Sequence, residues 1–300
     1  MKSKASVLVI TSHVVRGRIG QRAAVFALER LGYPCWVLPT VILPWHPGHR
    51  KAHRQVADKE TFASLIDDLS AAPWLDEIGA VLTGYLANAA QAAPIAAFID
   101  QLKNRRPDLL YCCDPVIGDH NSLYVADETA QAIRDVLVPR ADLMTPNRFE
   151  FDYLTGQTHG TNEAIIESAR GLSANRVAVT TAFSLMKDAS AALIFDRQTR
   201  EAYLAEHRAF KNAPNGPGDL FAALLTARLL EDRPIDKALE LATSGVFDIL
   251  TQTVKEGADE LLLVEHQDRL NRPMAMVNVR RLVGGAVTRK GAVVRPSPLV

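Results

Sequence analysis

Three hundred residues, 48% hydrophobic and 23% charged, hold enough apolar material for the core of one large α/β domain or two small ones. The 34 basic residues balance 34 acidic ones, which argues against nucleic acid or an anionic membrane as the main partner, since both reward a basic excess. Cys35, Cys112 and Cys113 make no disulfide framework, and the apolar run Val7–Ile10 is too short for a signal peptide, so a cytoplasmic protein is expected.

Short β-branched runs alternate with helical patterns along the chain. Val7–Ile10 reads as a strand, followed by a helix over Gln21–Leu31 that Gly32 closes. A strand at Cys35–Leu38 precedes a helix at Asp58–Leu69, and a third strand, Ala80–Thr83, precedes a helix at Ala89–Leu102. Leu109–Cys113 is the fourth strand, with Asp127 as the N-cap of a helix over Glu128–Val138. Leu143–Thr145 is short and extended, Thr161 caps another helix, and Arg176–Thr181 is again a strand. Ala191–Asp196 and Glu201–Ala205 form a hairpin at a sheet edge, before helices at Asp219–Leu230 and Ile235–Thr253. Strands separated by single helices imply a mostly parallel sheet covered on both faces. No linker divides the chain, so residues 1–300 are read as a single domain. Residues 39–53, rich in proline and basic groups, are read as a flap, and residues 277–300, with Arg280, Arg281, Arg289, Lys290 and Arg295, as an exposed tail.

Ligands of open parallel sheets bind beyond the carboxyl ends of the strands, and polar residues gather there in this sequence. Thr11, Ser12 and His13 are placed after the first strand, and Thr83, Gly84 and Tyr85 after the third. Asp114 follows the fourth, Thr145, Asn147 and Glu150 follow the fifth, and Thr180 closes the next. The sharpest feature is Asn215-Gly216-Pro217-Gly218-Asp219 leading into Leu220-Phe221-Ala222-Ala223. A helix start leaves N–H groups unpaired and favours anions, glycines admit a phosphate close to the backbone, and Asp219 would stand beside it to accept a hydroxyl proton. The plain alternative is that Asp219 only caps the helix.

Ser12-His13-Val14-Val15, Thr83-Gly84-Tyr85-Leu86, Asp114-Pro115-Val116-Ile117-Gly118-Asp119, Thr145-Pro146-Asn147 and the Gly216–Asp219 helix start occur in an order that resembles pyridoxal kinases of the ribokinase superfamily. The resemblance covers roughly Val7 to Leu250. It implies a ribokinase-like three-layer α/β/α fold and ATP-dependent phosphorylation of the 5′-hydroxyl of pyridoxal, with pyridoxine and pyridoxamine as further substrates. It makes Asp219 the base, with Gly216 and Gly218 around the transferring phosphoryl group. It puts Ser12, His46, Tyr85 and Asp219 against the vitamer, and Asp114, Thr145, Asn147, Glu150 and Thr180 at ATP. Asp114 and Glu150 are hard oxygen donors suited to Mg²⁺, and a monovalent cation is a further candidate. A homodimer is implied by the resemblance alone.

The sequence also departs from that pattern. Pro217 stands where threonine or valine is usual, and proline has no N–H to offer a phosphate. Pro44-Trp45-His46-Pro47-Gly48 replaces a polar stretch of which only His46 is kept, and Arg16 stands in place of an aromatic. Trp45 could stack on a pyridine ring or pack on its own domain. His46, His49 and His53 match no strong zinc spacing. The first strand lacks a full Gly-x-Gly-x-x-Gly after it, and no Gly-x4-Gly-Lys-Ser/Thr occurs, which disfavours a dinucleotide oxidoreductase and a P-loop enzyme. The rivals kept are a hydroxymethylpyrimidine or sugar kinase, and a weakly catalytic homologue that binds a vitamer.

Overall fold

In Ser6–Val14 (β1), Val7 and Val9 face one side of the strand and Leu8 and Ile10 the other, and all four are fully buried. A strand apolar on both faces has to lie between two layers. The computed structural model describes residues 4–119, 122–210 and 213–283, and in it β1 lies inside a nine-stranded sheet. The other strands are Cys35–Leu43 (β2), Ile78–Thr83 (β3), Leu110–Cys113 (β4), Leu143–Met144 (β7), Arg176–Thr180 (β8), Ala189–Asp196 (β9), Glu201–Arg208 (β10) and Asn278–Val283 (β11). Gly118–Asp119 (β5) and Ser122–Leu123 (β6) make a separate small ribbon. The large sheet runs β11-β10-β9-β8-β7-β4-β3-β1-β2, parallel from β2 to β8 and antiparallel from β8 to β11.

Leu8 and Ile10 pack on one helical layer, made by Lys59–Ser70 (α2), Ala92–Arg105 (α3), Asp127–Ala132 (α4), Arg148–Thr155 (α5) and Asn162–Gly171 (α6). Val7 and Val9 pack on the other, made by Gln21–Arg30 (α1), Pro217–Leu230 (α7), Ile235–Glu256 (α8) and Asp268–Asn271 (α9). Helix α7 is apolar all round and buried from Leu220 to Arg228, as befits a helix lodged between α1, α8 and the sheet. The expected hairpin is the β9–β10 pair, the expected cap Thr161 accepts an N–H bond at the start of α6, and Asp58, read as the first helical residue, is instead the N-cap of α2. No helix among the described residues is long and apolar enough to cross a membrane.

Four elements differ from the sequence reading. Strand β1 runs through Thr11, Ser12 and His13 to Val14, and β2 through Pro39 to Leu43, because His13 and Val14 pair with Ile42 and Leu43. Residues 39–43, read as flap, are therefore edge strand; Pro39 is tolerated there beside a register shift. The helix expected at Glu128–Val138 begins at Asp127, with Ala126 as its N-cap, and loosens into a π turn at Ile133–Leu137. Residues 278–283, read as tail, are β11, paired antiparallel with β10, while Arg289, Lys290 and Arg295 lie outside the described residues.

Electrostatics explains β11. The Glu206 side chain on β10 is fully buried and accepts from the Ser184 hydroxyl and the Leu185 and Met186 N–H groups, while Arg280 of β11 donates to its second oxygen at 3.0 Å. Burial raises the Glu206 pKa, but these donors outweigh it and hold it below the usual glutamate range. The resulting stability is present above that range and is lost as pH falls through the folded value. Glu206→Ala leaves the part-buried Leu185 and Met186 N–H donors and the Arg280 guanidinium without their shared acceptor, and is expected to cost about 1–3 kcal/mol in denaturant unfolding. A loss under half a kcal/mol would mean the carboxylate does not pin this edge.

Candidate active site

The chain passes from β1 outward to β2 and then returns across β1 to β3, so the strand order reverses between β1 and β3. A crevice opens at the carboxyl ends of strands flanking such a reversal. Here Thr11 ends the buried stretch of β1 and Thr83 that of β3, and the Gly84 N–H donates to Ile10 at 2.9 Å. The Asp114 N–H donates to Thr83 at 2.9 Å, bringing the first residue after β4 to the same place. Helix α7 points its N-terminus there, and Thr11, Thr83, Gly84, Asp114, Asp219 and Ala222 line one narrow cleft.

The start of α7 is shaped by glycine. Gly216 has φ +105°, and a Cβ on it would lie 2.4 Å from the Arg18 carbonyl oxygen. Pro217 is the first helical residue, a position whose N–H has no partner within a helix. Gly218 faces open space, where a side chain would stand in the way of a ligand approaching the backbone. Asp219 is partly exposed in the cleft. Burial lifts its carboxyl to about 6, against the pull of hydrogen bonds from the Gly20 N–H and its own N–H.

Two further acids share this region. Asp114 is pushed up by burial, then by Glu150 and by Asp219, with the Thr145 hydroxyl pulling the other way. Glu150 is raised to about 7 by burial, against N–H bonds from Asn147, Ile117 and Gly118. It sits in the first turn of α5, where Asn147 accepts from the Glu150 N–H and Glu150 from the Asn147 N–H, both at 2.9 Å. Its other oxygen takes the Ile117 N–H at 2.9 Å and so ties down the loop after Asp114. That loop holds Val116 at φ +45°, a costly conformation for a β-branched residue. Asn147 also bridges to Thr180 at the end of β8, and its amide donates to Gly118 at 2.8 Å. Asp114, Thr145, Asn147, Glu150 and Thr180 are thus brought together by the ends of β4, β7 and β8.

The residues expected at the vitamer lie on the other flank. Ser12 is in β1 and not beyond it; its carbonyl and hydroxyl oxygens would lie 2.4 and 2.5 Å from a Cβ on Gly20, which has φ +57°. Tyr85 packs on the small cluster of Val14, Val41 and Leu43. His46 stands over the α7 loop: its Nδ1 accepts from Asn215 Nδ2 at 3.0 Å and from the Gly48 N–H at 3.1 Å. Two donors aimed at Nδ1 fix the neutral tautomer protonated at Nε2, and burial, then the charge of His49, lowers its pKa. The Trp45 indole N–H donates to the Arg50 carbonyl at 3.1 Å, and the Arg50 guanidinium lies 4.4 Å from the ring centre, so this tryptophan packs on its own loop.

Residues 53–262 match the family model described as phosphomethylpyrimidine kinase. A pyridoxal kinase of Corynebacterium diphtheriae is 32% identical over 281 residues, covering 92% of this chain and 99% of its own. A pyridoxine/pyridoxal/pyridoxamine kinase of Bordetella bronchiseptica is 37% identical over 261 residues, 86% of this chain and 92% of its own. The chain belongs to the pyridoxal kinases of the phosphomethylpyrimidine kinase family. Pyridoxal kinase from Leishmania donovani, solved with ADP and pyridoxamine, superposes with a TM-score of 0.86 at 29% identity, over 93% of this chain and 100% of that one. The three-layer α/β/α fold read from the sequence is the fold of these kinases.

Gly20, Gln21 and Glu260 of this pyridoxal kinase family member escaped the sequence reading, whereas Thr11 is among the residues it placed after the first strand. Gly20 places its N–H close enough to draw down the Asp219 pKa, and Glu260 accepts the Arg18 N–H at 3.0 Å. Thr11 Oγ1 and Gln21 Nε2 are buried and have no hydrogen-bond partner among the described residues, although Gln21 Oε1 meets His13 at 3.2 Å. Buried polar atoms left unpaired mark a place for a polar ligand or an ordered water. Of these, only Gly20 carried a local signal, as the last glycine of Gly17-Arg18-Ile19-Gly20 before a helix.

Proposed function

We propose that this chain phosphorylates the 5′-hydroxyl of pyridoxal with ATP, with Asp219 as the base. The observation that carries the reading is the placement of Asp219 in the cleft at the strand reversal, on the start of a helix and facing Asp114. The relatives are named for pyridoxal, pyridoxine and pyridoxamine, which fits an aromatic alcohol as the acceptor. Phosphoryl transfer asks for alignment, charge neutralisation and a place for the alcohol proton more than for a covalent nucleophile. The Gly218 N–H and the positive end of α7 would meet the transferring group. Ser12, Tyr85 and His46, on the flank under the flap, would hold the vitamer. Thr145, Asn147 and Thr180, with the α5 start, would hold the nucleotide.

Asp114 and Glu150 fit Mg²⁺ as a donor pair, since each is driven toward its protonated form by burial and Asp114 also by repulsion from its neighbours, which a divalent cation relieves. Glu150 already accepts N–H bonds on both oxygens, so it would act through a water. The ion would supply charge neutralisation at the β- and γ-phosphates. As the alcohol oxygen bonds to the γ-phosphorus, the bond from that phosphorus to the β,γ-bridging oxygen breaks and ADP leaves, while Asp219, its basicity raised by burial, takes up the hydroxyl proton.

A panel of pyridoxal, pyridoxine, pyridoxamine, hydroxymethylpyrimidine and ribose, read by coupled ADP release, is expected to give turnover on the three vitamers. Preference for hydroxymethylpyrimidine or ribose would move the chain to another kinase of the fold, and tight vitamer binding without ADP release would make it a carrier. The base must be ionised, so kcat/KM is expected to climb about tenfold per pH unit below about 6 and to level off above it. A profile flat from pH 5 to 8 would take the role of base from Asp219.

A further inference from the structure

Glu260 lies in the segment after α8, where Gly257 closes the helix with φ +65° and the Leu262 N–H is held by the buried Thr253 hydroxyl at 3.1 Å. Its side chain is 16% exposed, yet it reaches two separate parts of the site, the turn 16–20 and the flap. Oε2 accepts the Arg18 N–H at 3.0 Å, Oε1 meets His49 Nε2 at 2.9 Å, and Arg16 lies 3.5 Å from Oε1 while also gripping Asp259 at 2.8 Å. We infer that Glu260 is a positioning residue that sets the turn 16–20 beneath Asp219 and latches the flap at His49.

The turn has little freedom once that carboxylate is in place. Gly17, at φ +121°, lets Glu260 approach so closely that a Cβ there would stand 2.8 Å from Oε1. The Arg18 carbonyl sits against Gly216, and Gly20 against Ser12, so the turn is wedged between the α7 start and β1. Gly20 then presents its N–H to Asp219. On the flap side, His49 is tied to Glu260 while His46 is tied to Asn215, so two bonds hold the flap over the loop that carries Gly216. Arg16 joins the same acidic pair through its ionic contacts with Asp259 and Glu260.

The inference rests on Asp219 as the base, and the test separates the two. Glu260→Ala releases the turn and the flap together, and kcat is expected to fall roughly 10²-fold because Asp219 loses its fixed position. The vitamer KM should rise about tenfold through loss of the flap latch, with the ATP KM unmoved, since the nucleotide groups hang on β4, β7 and β8. Glu260→Gln keeps an oxygen for the Arg18 N–H but no charge for Arg16 and His49. It should recover most of the lost kcat and retain the raised vitamer KM. A merely structural glutamate would lower the active fraction in both variants and leave both KM values alone, which would overturn the inference. Amide hydrogen exchange over 16–20 and 45–50 reads the same tie without turnover: faster exchange in both segments of Glu260→Ala supports it, and unchanged exchange overturns it. Absence of turnover in the unmutated chain would count against the kinase reading, while the exchange still decides the role of Glu260.

Discussion

Asp219→Asn is expected to lower kcat by about 10³-fold, within the range that a positioned general base contributes. The amide keeps an oxygen for the Gly20 N–H, so the geometry of the α7 start survives and ATP binding should change little. What is lost is the proton acceptor. Stability should move the other way. The folded carboxyl sits near 6, above its unfolded value of 3.8, so the ionised form at neutral pH works against folding, and a neutral amide removes that cost. A variant that melts slightly higher, binds ATP normally and barely turns over is the signature of a group held in an unfavourable state for chemistry. Near-normal kcat would reduce Asp219 to a helix cap, and a lower melting temperature would show that its charge is welcome in the fold.

Much of this arrangement could be read from the sequence because it depends on local signals. Two glycines and a proline before an apolar run announce the start of α7, and β-branched runs announce β1, β3 and β8. Strand lengths were harder. Thr11, Ser12 and His13 look like a loop, yet pairing of His13 and Val14 with the β2 edge extends the strand past them. Helix α5 carried its own signal, Asn147 with Glu150 three residues on, but that glutamate had been weighed as a metal donor and not as half of a capping box. The N–H bonds that cap the helix also fix this carboxylate near Asp114, where the proposed metal site would need it. β11 could not be read at all. Its arginines look like a solvated tail until Glu206, far away in sequence, is found buried opposite Arg280. Glu260 is invisible for the same reason: its meaning lies in the turn and the flap segment it touches, neither of them near it in the chain.

Pro217→Thr is the other large effect, and it is expected to be a gain. The first bond within α7 runs from the Leu220 N–H to Gly216 at 3.1 Å, so the amides of residues 217 to 219 have no helical partner. Proline supplies none at 217, and the Asp219 N–H lies beside its own carboxylate and lowers its pKa, so the Gly218 N–H is the amide best placed to meet a phosphoryl group. Threonine restores an amide aimed out of the helix start, and kcat should rise by about 10²-fold, the lower end of what one preorganised donor contributes. The same change frees the unfolded chain and should lower stability by about 0.4–1 kcal/mol, because proline already sets the φ that the first helical position needs. Steady-state kinetics and thermal melting on the pair of proteins test both halves. A lower melting temperature with unchanged kcat would mean that the amide at 217 points away from the path of the phosphoryl group. A gain in both would show that proline strains the turn that Gly216 makes. Raised turnover together with reduced stability would identify position 217 as one where this chain has exchanged catalytic power for a stiffer loop.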